Sequence, residues 1–147
     1  MDSQIENQKA YQLVLQFLKD SRNCDTSVGQ HKIWNKFVEN LKNIDIDNDF
    51  SRALQIWSME NLQTHHPETV RVRELHEIEA TFIPPKGHGK ILEALRQGMI
   101  SMQQSENVID ELMDAEPGSI ADTETVQEAL TRTWKKNASK YEGMHLN

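Results

Sequence analysis

The chain has one cysteine, Cys24, in 147 residues, which excludes an internal disulfide and any metal site built from several thiolates. No apolar run approaches the ~18 residues needed to cross a bilayer. The opening MDSQIENQKAYQ has neither the basic start nor the apolar run of a cleaved signal. A cytoplasmic or otherwise intracellular protein with no membrane contact is therefore expected. Internal repeats and low-complexity tracts are missing, as are the HExxH, GxSxG and GxxxxGK[ST] signatures of zinc hydrolases, serine hydrolases and P-loop enzymes.

What is present is charge of one sign. The net charge is −7, which disfavours direct nucleic-acid binding and adhesion to anionic membranes. The densest basic groups, Arg71 with Arg73 and Arg132 with Lys135 and Lys136, sit beside acids and read as solvated helix faces. The length suits a single domain, 1–147, that buries a core unaided.

The apolar residues recur at helical spacing. Residues 3–21 place Ile5, Leu13, Val14, Phe17 and Leu18 on one side, with Ser3 and Glu6 spaced as a capping box. The polar turn SRNCDTSVGQ follows. Residues 30–43 carry Ile33, Trp34, Phe37, Val38 and Leu41, the most aromatic face in the chain. In NIDIDNDF, Asp45, Asp47 and Asp49 fit the first three ligand positions of a calcium loop. Phe50 stands where that loop needs glycine, however, and Ile56 where it needs glutamate. The stretch reads instead as a cap, with Asp47, Asn48 or Asp49 opening a helix over 49–64.

Pro67 and the glutamates after it favour a helix from 67 to about 81, although Val70 and Val72 alternate like a strand. After IPPKGHGK, one long helix is expected over about 88–115. A final helix over 123–140 is capped by Asp122 or Thr123. The tail, 142–147, is expected to fray. Five to six helices with short connections predict an all-α fold, an irregular bundle with one long helix.

Three constellations could carry chemistry. Glu74 with Glu77, and Glu111 with Asp114, each place two carboxylates three residues apart on one helix face. Two such pairs on facing helices could hold Mg²⁺ beside a triphosphate. The pairs resemble the ExxE and ExxD carboxylates of the MazG-like all-α nucleoside triphosphate pyrophosphohydrolases, a likeness that covers these four residues. It implies magnesium at the four carboxylates and phosphates near Lys86 or Lys90. Lys86, Gly87, His88, Gly89 and Lys90 open a helix and form an anion-binding candidate through free amides and the helix dipole. Met99, Met102 and Met113 lie on a long apolar stripe and form an interaction candidate, because methionine adapts to irregular partners. His65, His66 and His76 lack zinc-site spacing, and Glu142 with His145 makes a lone ExxH.

The expectation is a small acidic module without catalysis, metal or cofactor. It would bind another protein, a basic one by charge, as an adaptor, inhibitor or immunity-type partner acting through helical surfaces. The alternative is the magnesium-dependent pyrophosphohydrolase. A third class is a viral, phage or other assembly subunit, which would be a homo-oligomer.

Overall fold

The computed structural model describes residues 3–114 and 120–143, residue 3 by its backbone alone. Among these residues the fold is all helical: seven α-helices, one short 3₁₀ turn and no strand. The helices are α1 (Ser3–Arg22), α2 (Ser27–Lys42), α3 (Asn48–Thr64), α4 (Glu77–Phe82), α5 (Pro85–Arg96), α6 (Met102–Met113) and α7 (Thr123–Ser139), with the 3₁₀ turn at Pro67–Thr69. None of the described helices is long and apolar enough to cross a membrane. Contacts group the chain into two compact units, Met1–His65 with Lys135–Asn147, and His66–Trp134.

In the first unit α1, α2 and α3 pack against one another. Ala10, Tyr11, Val14, Phe17 and Leu18 recur every three or four residues along α1 and are buried. Phe17 stacks on Phe37 at 4.4 Å between ring centres, and the Trp34 ring meets Phe17 edge-on at 5.5 Å. From α3, Phe50, Leu54 and Trp57 complete this core. Ile5 departs from the expected inner face and is 53% exposed.

The helix starts follow local chemistry. Thr26 caps α2 by accepting from the Gly29 amide at 3.1 Å, so the helix begins within the stretch read as a turn. Asp47 caps α3 by accepting from the Asp49 amide, which settles the reading of NIDIDNDF. Asp122 accepts from the Thr125 amide at 2.7 Å at the start of α7. The capping partner expected of Glu6, Ser3, has a side chain outside the described residues. The Glu6 carboxylate accepts from the Asp45 amide and from Lys9.

The second unit corrects two expectations. The single helix over 88–115 is two helices, α5 and α6. Gly98 adopts φ 74°, the Gly98 amide donates to the Leu95 carbonyl and the Met99 amide to the Ala94 carbonyl. This is the Schellman pattern that ends a helix. Ser101 and Gln104 then close a capping box on the next one, with bonds of 3.1 and 2.9 Å. The helix expected over 67–81 is likewise broken. The chain makes a 3₁₀ turn, runs without regular structure over 70–76, and enters helix only at Glu77. The core of this unit comprises Ile83, Ile91, Leu95, Met99, Val108, Leu112, Val126 and Leu130. The stop expected at AEPGS and the tail from 144 onward lie outside the described residues.

Candidate binding surfaces

A heavily bonded side chain of the second unit is Arg73, in the irregular segment before α4. Its guanidinium donates to both oxygens of Glu106 on α6, at 2.7 and 2.7 Å, and to both oxygens of Glu79 on α4, at 2.7 and 2.9 Å. It also donates to the Glu74 carbonyl. Glu79 in turn accepts from the His76 amide at 2.8 Å. Two forked ion pairs thus fasten the segment to two helices. The Arg73 bonds pull the Glu79 carboxyl down to about 2, with the His76 amide assisting. They hold Glu106 below the usual carboxylate range as well, and the two acids raise Arg73. Arg73, expected on a solvated helix face, is instead a structural tie.

That tie leaves the four candidate carboxylates in different settings. Glu74 lies in the irregular segment and Glu77 opens α4. Glu111 lies near the end of α6 and accepts from Arg132 at 3.0 Å. Asp114 caps the C-terminus of the same helix. The spacing of 74 and 77 therefore does not describe one helix face, because helix begins only at the second of them. No group of three or more His, Cys, Asp or Glu side chains that could hold a metal ion forms among the described residues.

The stretch PPKGHGKI is helical almost from its start. Pro85 occupies the first position of α5, where its missing N–H costs nothing. Gly87 lies buried against α7: a Cβ there would come within 3.0 Å of the Val126 side chain. Its role is close packing of two helices. Lys90 points back into the unit and donates to Gln127, which donates to Thr131 at 3.0 Å. Lys86 and Gly89 are exposed and His88 is half-buried. The methionines also part company. Met99 is wholly buried in the turn between α5 and α6, Met102 is 46% exposed, and Met113 is half-buried.

A scan of family models, curated proteins and solved structures finds no match to this chain.

The structure shows three features that the sequence reading did not assign: an α1–α2 groove with an adjoining hollow, an α6–α7 slot, and a partition of charge. A groove of about 620 Å³ runs between α1 and α2, with Ile5, Leu13 and Ile44 as its apolar lining and Gln8, Gln12 and Asn40 among its polar groups. A second hollow of about 200 Å³, reaching Phe17, Ile33 and Phe37, shares Leu13 and Asn40 with it. A slot of about 240 Å³ lies between α6 and α7, lined by Leu112, Ala121 and Ala129 with Glu111, Glu128 and Arg132 around it. The third feature is the placement of charge. Residues 66–134 hold 13 Asp and Glu against 6 Lys and Arg, a net −7, while the remainder of the chain holds 10 of each. The whole net charge of the protein belongs to the second unit. The groove was traceable in sequence, because the apolar arc of α1 is wider than one buried face needs. The charge partition was not, because it requires the unit boundaries.

Proposed function

We propose that the chain is a non-catalytic protein-binding module whose second unit engages a basic partner. The observation that carries this reading is the concentration of the net charge in residues 66–134. A field of one sign confined to one unit speeds encounter with a basic surface and repels acidic competitors. An adaptor or an inhibitor of a basic protein fits that chemistry. The test is capture on the immobilised full chain, followed by association kinetics of the captured protein. The expected partner is basic, and its association rate falls at least about tenfold between low and roughly 0.5 M salt, as screening of a long-range field requires. An acidic partner, or a rate indifferent to salt, would overturn the reading.

A second reading, self-association of the kind an assembly subunit needs, is favoured by the α1–α2 groove. Its unit is electrically neutral, so two copies meet there without the repulsion that the −7 unit imposes. The amides of Gln8, Gln12 and Asn40 both donate and accept, and so suit a two-fold interface in which a patch meets itself. Light scattering on a gel-filtered sample is expected to give a dimer for the native chain and a monomer for Ile5→Glu. The substitution lies at an exposed position that the fold tolerates. A native chain that stays monomeric at every concentration tested sinks this reading.

A further inference from the structure

The end of α6 is built against its own electrostatics. A helix C-terminus carries partial negative charge from its free carbonyls and favours Lys or Arg in the last turn. Helices α1, α2, α5 and α7 follow this rule with Lys19 and Arg22, Lys42, Arg96 and Lys136. Helix α6, like α3 and α4, has no base in its last turn. It carries Asp110 and Glu111 there, and Asp114 as its cap. Asp110 and Asp114 are four residues apart, as are Glu124 and Glu128 on α7, a spacing at which like charges repel. Sequences break such local rules chiefly where function demands it.

Beside this unfavourable turn lies the slot between α6 and α7. Leu112, Ala121 and Ala129 are buried apolar residues that line it, and Ile120 stands beside it 66% exposed. Its volume of about 240 Å³ admits one leucine- or phenylalanine-sized group, since smaller apolar cavities hold benzene. Glu111 and Glu128 line the same slot. Arg132, which also lines the slot, bonds Glu111 with both side chains about half exposed. That pair models on a small scale what an incoming guanidinium or ammonium would do.

We propose that this slot receives an apolar side chain that a partner polypeptide presents beside basic residues, a Lys or Arg among them pairing with Glu128 on the rim. The proposal rests on the basic-partner reading above and adds the place and the chemistry of contact. An anionic ligand is excluded by the sign of the lining. A free metal ion is disfavoured because no three-ligand group forms among the described residues. A polypeptide satisfies both parts of the site, the apolar lining and the acidic rim, at once.

The probe is a short fluorescein-labelled helical peptide with one leucine between two lysine-bearing turns, titrated with the full chain and read by anisotropy. One sister peptide has serine for the leucine, another glutamates for the lysines. The expected result is that the leucine–lysine peptide binds at least about tenfold more tightly than either sister. Glu128→Lys and Ile120→Ser, both at positions not fully buried, each weaken it by a similar factor. Glu68→Lys, an equal charge change at a side chain 75% exposed on the 3₁₀ turn, leaves it unchanged. If Glu68→Lys weakens binding as much as Glu128→Lys, the unit attracts cations generally and the slot is overturned while the basic-partner reading stands. A serine sister that binds equally well overturns the slot in the same way. A glutamate sister that binds equally well overturns both. Absence of binding by the leucine–lysine peptide overturns the slot. So does a native dimer that Ile120→Ser dissolves, because a second copy would then be the occupant.

Discussion

Phe17→Ala is expected to cost about 3–5 kcal/mol of stability, the largest loss of any single truncation considered. Phe17 is 4% exposed. Its ring stacks on Phe37 at 4.4 Å with planes 18° apart and meets Trp34 at 5.5 Å and 66°. Truncation removes the transfer free energy of the ring and leaves a void that close-packed neighbours fill only in part. Each lost aromatic pair adds about 0.5–1.5 kcal/mol to that. Domains of this size are stable by only about 5–15 kcal/mol, so the loss takes a large share of the total. Urea denaturation followed by tryptophan fluorescence measures this directly. Phe17→Leu keeps most of the volume and is expected to lose about 1–1.5 kcal/mol. Val28→Ala, at a side chain 67% exposed, is expected to stay within about 0.5 kcal/mol. A Phe17→Ala loss no larger than that of Phe17→Leu would mean that the aromatic cluster does not hold α1 to α2.

The break between α5 and α6 shows which parts of the fold were legible in the sequence. Gly98 followed by Ser101-Met-Gln-Gln104 is a helix stop and then a capping box, and both signals are local. They were overridden by the apolar spacing, which runs on through Ile91, Leu95, Met99, Val108 and Leu112 as though one helix bore it. Two helices packed on one core share such a pattern, so periodicity alone cannot count them. The segment 70–76 is a different case. Glu74 favours helix locally, whereas Arg73 bonds Glu106, 33 residues away, from backbone without regular structure. No local signal contains that partner.

The surfaces divide in the same way. Spacing showed that acids three apart can share a face, but not that helix starts only at Glu77, nor that Glu111 meets Arg132. Gly87 was recognisable as unusual. Its reason, contact with Val126, lies in the packing of two helices and not in a free amide. The acids in the last turn of α6 were legible all along, since the dipole rule needs only the sequence and a helix end.

Arg73→Met is expected to destabilise the chain by about 2–3 kcal/mol at neutral pH, between the value of an exposed pair and that of a buried one. The Glu79 side chain is 12% exposed, Arg73 33% and Glu106 38%. Removing the guanidinium leaves two carboxylates near each other without their shared cation, and frees segment 70–76 from α4 and α6. The pH dependence follows from the direction of the shifts. Both carboxyls titrate lower in the folded state than in the unfolded chain, Glu79 at about 2. Their stabilisation is therefore complete above the unfolded value of about 4.3 and is lost as pH falls from there through the folded value. The variant keeps only the smaller contribution of the His76 amide to Glu79. The gap between native protein and Arg73→Met should thus be widest at neutral pH and mostly closed at about pH 2. Denaturant titrations of both proteins at neutral pH, about pH 4 and about pH 2 measure it. A gap that stays constant over this range would assign the Arg73 contribution to packing of its aliphatic stem, and the forked ion pairs would then not be what ties the segment to its helices.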